Sequence, residues 1–122
     1  MRKILLVEDD LPLLRLYQGA LEADFEVLVA GTAAEARQAL ESHRPSVVVL
    51  DLNLPDAPGA TIIRYIEEQE SLAHTRVVVM TGFHAQRQEG NSPVVIETIA
   101  KPVTASILLR VVKLAAASAA RA

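Results

Sequence analysis

Five short apolar runs recur along the chain, and each is closed by polar or turn-forming residues. Ile4-Leu5-Leu6-Val7 runs into Glu8-Asp9-Asp10, and Phe25 to Ala30 ends at Gly31. Val47-Val48-Val49-Leu50 runs into Asp51, and Val77-Val78-Val79-Met80 ends in Thr81-Gly82. Val94 to Ala100, interrupted by Glu97 and Thr98, closes at Lys101-Pro102. In the run from Val47 to Leu50 no polar residue alternates, so both faces of that strand are expected to be buried.

Helical spacing fills the intervals. Asp10 can cap a helix with Pro12 in its first turn, followed by Leu13, Leu14, Tyr17, Ala20 and Leu21 at helical positions. Thr32 and Glu35 have the spacing of a capping box for a helix over Ala33 to Ser42, which Pro45 stops. Ile62, Ile63 and Ile66 mark the inner face of a third helix. The last helix is predicted to begin near Thr104 and to bury Ile107, Leu108, Val111 and Leu114. Phe83 to Ser92 has little apolar periodicity, so a short helix or a mobile loop is expected there.

Strand and helix thus alternate five times, which predicts an α/β fold: a parallel sheet with helices on both faces. Crossovers in such sheets are right-handed, and ligands bind outside the carboxyl ends of the strands. The chain has 122 residues, 51% hydrophobic and 22% charged, enough for one domain with a real core. A net charge of −3 argues against a nucleic-acid footprint on this domain. The absence of cysteine removes disulfide and thiol chemistry and fits a reducing cytoplasm. Met1-Arg2-Lys3 precedes too short an apolar run for a signal-peptide core, and no stretch is apolar for long enough to span a bilayer, so no membrane role is expected.

The chemistry collects at the predicted strand ends: Glu8 and Asp9 after the first, Asp51 after the third, Thr81 after the fourth and Lys101 after the fifth. Three carboxylates in one crevice repel one another, and a hard divalent cation relieves that repulsion; an open carboxylate site with room for water suits magnesium. A carboxylate oxygen can attack phosphorus, and a lysine and a threonine hydroxyl can stabilise the charge on a transferring phosphoryl group. Taken singly, each residue has a plainer reading. Asp51 alone could cap a loop, Asp10 caps a helix, Lys101 alone could be a solvated lysine, and threonine is common at strand ends. His43, His74 and His84 lie in polar surroundings without ligand spacing and are read as surface residues.

Leu6-Val7-Glu8-Asp9-Asp10, Asp51-Leu52-Asn53-Leu54-Pro55, Met80-Thr81-Gly82 and Lys101-Pro102 stand in the order, and close to the spacing, of the receiver domain of two-component response regulators. The chain resembles that family over almost its whole length. The resemblance implies a doubly wound five-stranded parallel sheet of flavodoxin-like order 2-1-3-4-5. It implies a receiver domain over 1–116, with 117–122 as an Ala-rich tail or the start of a linker. Asp51 would accept a phosphoryl group from a sensor histidine kinase or a phosphotransfer protein. Asp9 and Asp51 would hold magnesium (or manganese) through their side chains, Glu8 through water, and Asn53 through its backbone carbonyl. Thr81 would be the switch hydroxyl, Lys101 would pair with the phosphate, and the Lys101-Pro102 peptide would be cis. Phosphorylation would shift a two-state equilibrium of a cytoplasmic signalling domain. Its output would pass to a C-terminal effector domain or a separate output protein, and the domain could form a homodimer.

Three departures from the family pattern cluster on its usual output surface. Thr98 stands where an aromatic switch residue is usual, and Val103 stands where a phenylalanine is usual. The stretch between Thr81 and Lys101 is slightly short and lacks the common glycine-alanine-acid run. The usual coupling of threonine to a turning aromatic ring therefore cannot operate in that form. Output through another face, or folding of Phe83 to Ser92 on a partner, would replace it; Phe83 could instead shield the phosphoryl group from water. Two other function classes compete with the switch. One is a receiver-like interaction module that is never phosphorylated. The other is an aspartate-nucleophile phosphohydrolase of the haloacid-dehalogenase kind, which wants an acid where Asn53 stands and a cap domain for which the chain lacks room. A turnover enzyme is therefore not expected.

Overall fold

In the computed structural model, residues 1–82 and 92–121 are described, with nothing to be said of the side chains of residues 120 and 121. The expectations placed on Phe83 to Asn91, including His84 and any shielding by Phe83, lie outside them. The strands are β1 (Lys3–Val7), β2 (Glu26–Ala30), β3 (Val47–Asp51), β4 (Arg76–Thr81) and β5 (Val95–Ala100). The helices among the described residues are α1 (Leu11–Leu21), α2 (Ala33–His43), α3 (Ala60–Glu68) and α4 (Ala105–Arg121), with a 3-10 turn at Glu70–Leu72. The strands pair in parallel in the order β2-β1-β3-β4-β5.

The apolar runs form strands because alternate side chains must leave the sheet on opposite sides. Ile4, Leu6, Val47, Val49, Val78 and Met80 pack on one side with Leu14, Tyr17 and Leu21 of α1 and Leu108 and Val112 of α4. Leu5, Val7, Val48, Leu50, Val77 and Val79 pack on the other with Ala36 and Leu40 of α2 and Ile62, Ile63 and Ile66 of α3. Every residue of β3 is buried, as the unbroken run requires. β5 lies at the sheet edge, half exposed, with an irregular register opposite Val77 and Val78.

The helix ends follow the sequence signals. Asp10 accepts the Leu13 N–H at 3.1 Å, and Thr32 accepts the Glu35 N–H at 3.0 Å. The Glu35 carboxylate reaches back to the Gly31 N–H at 2.8 Å, one residue before the cap.

The buried face of α4 differs from the expectation. Leu108, Val112, Ala115, Ala116 and Ala119 are buried, whereas Ile107 is 43% and Leu114 64% exposed. Val111 is half-buried against the core. The stripe at 108, 112, 115 and 119 keeps helical spacing, with Leu108 and Val112 followed by the small Ala115 and Ala119, and its first three residues pack in one cluster with α1 and the sheet. Selecting the largest aliphatic residues instead turns the face away from that stripe. The helix continues through the alanine-rich end to Arg121.

Candidate functional site at the carboxyl edge of the sheet

In the order β2-β1-β3-β4 the connection after β1 runs to one side and the connection after β3 to the other, which makes the β1/β3 crevice the switch point of the sheet. Glu8 follows β1 directly, and its N–H donates to the Ala30 carbonyl at 3.0 Å. Asp51 is the last residue of β3. Lys101 follows β5, with its N–H donating to the Thr81 carbonyl at 2.9 Å. The Lys101-Pro102 peptide is cis.

These positions bring the side chains together. The Lys101 ammonium donates to Glu8 Oε1 at 2.7 Å and to Asp51 Oδ2 at 3.0 Å. Glu8 is 1% and Asp51 3% exposed. Asp9 is exposed beside them, and one carboxylate oxygen from each of Glu8, Asp9 and Asp51 lies within 4.8 Å of the others. The other oxygen of each buried acid has a backbone donor: Asp10 N–H to Glu8 Oε2 at 3.2 Å, and Asn53 N–H to Asp51 Oδ1 at 3.0 Å. Thr81, 3% exposed, lies one residue beyond Met80, the register partner of Asp51. Asn53 follows Asp51 on the exposed loop to α3.

The electrostatics are divided. Burial pushes the Glu8 carboxyl above its ordinary value; hydrogen bonds from Lys101 and the Asp10 N–H only partly oppose this, and the Asp51 charge adds to it. Burial also penalises the Lys101 ammonium, but its hydrogen bonds to Glu8 and Asp51 outweigh that, and its pKa is raised. One lysine thus faces two buried acids, with a third at the rim. All the negatively charged donors are oxygens, and one side of the cluster is open, which fits a hard divalent cation.

Two features of the loop after β3 have no clear sequence signal. Gly59 comes so close to the end of β3 that a Cβ there would sit 2.6 Å from Leu52 Cα and 2.8 Å from the Asp51 carbonyl oxygen. Its N–H donates to the Leu52 carbonyl at 2.8 Å. Asp56, an acid in a proline-containing loop, accepts the N–H groups of Ala33 at 2.8 Å and Ala34 at 3.1 Å, at the start of α2. An open cleft of about 500 Å³ runs between this loop and Asp9.

Comparison with known proteins agrees with this geometry. The profile of the family described as the response regulator receiver domain matches residues 4–113. The polar-differentiation response regulator DivK of Brucella anthropi is 25% identical over 89 residues, covering 72% of each chain. A CheY-like response regulator receiver domain protein from Methanospirillum hungatei superposes with a TM-score of 0.86 at 25% identity, over 99% of this chain and 98% of that one. A receiver domain protein from Clostridium thermocellum gives a TM-score of 0.85 at 27% identity, over 96% and 95%. With its sheet order, its acid-lined switch point and a profile match over nearly its full length, the chain belongs to the response regulator receiver domains, the signalling modules of two-component systems.

Proposed function

We propose that this chain is a phosphoryl-accepting switch with Asp51 as the acceptor. The observation that carries the reading is the position of Lys101, whose ammonium bridges the buried acids that follow β1 and end β3. Asp51 is held from both sides, by the Asn53 N–H on Oδ1 and by Lys101 on Oδ2, so its carboxylate has a fixed orientation. One of its oxygens attacks the phosphorus of a phosphohistidine on a sensor kinase or phosphotransfer protein. The new O–P bond forms as the P–N bond breaks, and the electron pair leaves with the imidazole. Lys101 would keep contact with the charged group as it arrives, and the Thr81 hydroxyl would be the donor toward its oxygens. Magnesium, held by Glu8, Asp9, Asp51 and the Asn53 carbonyl, would supply the remaining positive charge. Asn53 stands where a phosphohydrolase of the dehalogenase kind needs its second acid, so a turnover cycle is not proposed. The domain works in the cytoplasm, with a kinase or phosphotransfer protein upstream and an effector downstream.

The test is incubation of wild type and Asp51→Asn with a small acyl phosphate and magnesium, followed by a phosphate-retarding gel. A magnesium-dependent retarded band in wild type, absent from the variant, is the expected result. An unshifted wild type that also binds no magnesium would leave a receiver-like interaction module as the function.

A further inference from the structure

Asp56 lies at the tip of the loop that carries Asn53. That loop is closed on itself by a bridge between Asn53 and Pro58, and Gly59 locks its far end onto β3. The tip is fastened to a different element, because the Asp56 carboxylate accepts two N–H groups of the first turn of α2. The first turn of α2 has its own cap in Thr32, so Asp56 is an addition to the capping of the helix. α2 is in turn held to α3: Tyr65 donates to Glu41 at 2.7 Å, and the Arg37 guanidinium lies 5.8 Å from the centre of the Tyr65 ring. The loop is therefore fixed at three points, and the open cleft beside Asp9 lies along it.

We propose that Asp56 is a positioning residue, which sets the cation affinity of the acidic site by holding the Asn53 loop against the start of α2. The proposal rests on the reading of Glu8, Asp9, Asp51 and Asn53 as a divalent-cation site. Both charge-assisted bonds tie the loop to α2 independently of the acidic cluster, so the cost of ordering the loop does not fall on cation binding alone. The coupling runs both ways, and cation binding should protect the Ala33 and Ala34 amides from exchange.

The experiment is calorimetric titration of magnesium into wild type, Asp56→Ala, Asp56→Asn and Thr32→Ala, with amide exchange of residues 53–58 in the metal-free proteins. Thr32→Ala removes a cap of the same helix without touching the loop, so it separates helix stability from loop position. Asp56→Ala should weaken magnesium binding roughly tenfold, the scale seen when the supports of a ligand are removed, and should speed exchange in the loop. Asp56→Asn, which keeps one acceptor oxygen, should fall between it and wild type, and Thr32→Ala should bind as wild type does. Wild-type affinity in Asp56→Ala would overturn the positioning role and leave Asp56 a helix cap. An equal loss in Thr32→Ala would overturn it as well, because affinity would then follow the stability of α2. A wild type that binds no magnesium would overturn the cation site itself, and the positioning role with it.

Discussion

At Gly59 there is no room for a side chain. A Cβ would meet backbone atoms of Asp51 and Leu52 rather than the movable end of a side chain, so relief requires β3 or the start of α3 to shift. Gly59→Ala should cost about 2–3 kcal/mol in urea unfolding, in the range of overpacked cores, and should slow phosphorylation because the carbonyl it strikes belongs to Asp51. Glu8 gives a second prediction, for the metal-free protein. Its folded pKa is raised above 4.5 by burial, so the folded state keeps a proton that the unfolded chain has released. Its contribution to stability is fully present below 4.5 and is lost as the pH rises through the raised value. Glu8→Gln should flatten that fall, as read from urea midpoints across the acidic-to-neutral range; an unchanged slope would assign it to another group. Lys101 acts at the other end. Its raised pKa contributes stability below 10.5 that is lost as the pH rises through the folded value.

At the scale of elements, α4 is the informative case. Leu108 is fully buried and Leu114 is 64% exposed, though both are leucines on one helix. Leu108→Ala should cost roughly 2–5 kcal/mol, whereas Leu114→Ala should fall within about 0.5 kcal/mol of wild type. Thermal melts of the two variants distinguish the observed face from the one expected from side-chain size. Elements built from repeated local pattern were legible in the sequence. The run from Val47 to Leu50 states its own burial, and Asp10, Thr32 and Glu35 mark the helix starts where they occur. The alanines of α4 carry little hydrophobic signal, so their burial follows from the approach of neighbouring elements and not from their type. The two bonds of Asp56 were illegible for a related reason. Its partners lie 23 and 22 residues away, and nothing near Asp56 marks them. The acids and the lysine at the strand ends were legible together because the alternation of strands and helices already assigned them to one edge.

Across the whole molecule, the sheet order decides which residues meet. Because β1 lies between β2 and β3, the acids after β1 stand beside Asp51, and the edge position of β5 still lets the long Lys101 side chain reach both. A lysine on a shorter stem or a sheet in sequential order would not assemble this group. A cation that binds only the folded chain must stabilise it, by about 2.7 kcal/mol at a concentration one hundred times its dissociation constant. Magnesium should therefore raise the melting temperature of wild type, and Asp51→Asn should lose most of that rise; equal shifts in both proteins would place the cation elsewhere. The most direct measurement asks which residue carries the phosphoryl group. Wild type treated with an acyl phosphate and magnesium is reduced with borohydride, which converts an aspartyl phosphate to homoserine, and is then mapped by peptide mass spectrometry. Conversion at position 51 alone, and only with magnesium present, is the predicted result. Homoserine at position 9, hydroxynorvaline (the reduced glutamyl phosphate) at position 8, or no reduction in a protein that binds magnesium, would contradict the assignment of Asp51 as the acceptor.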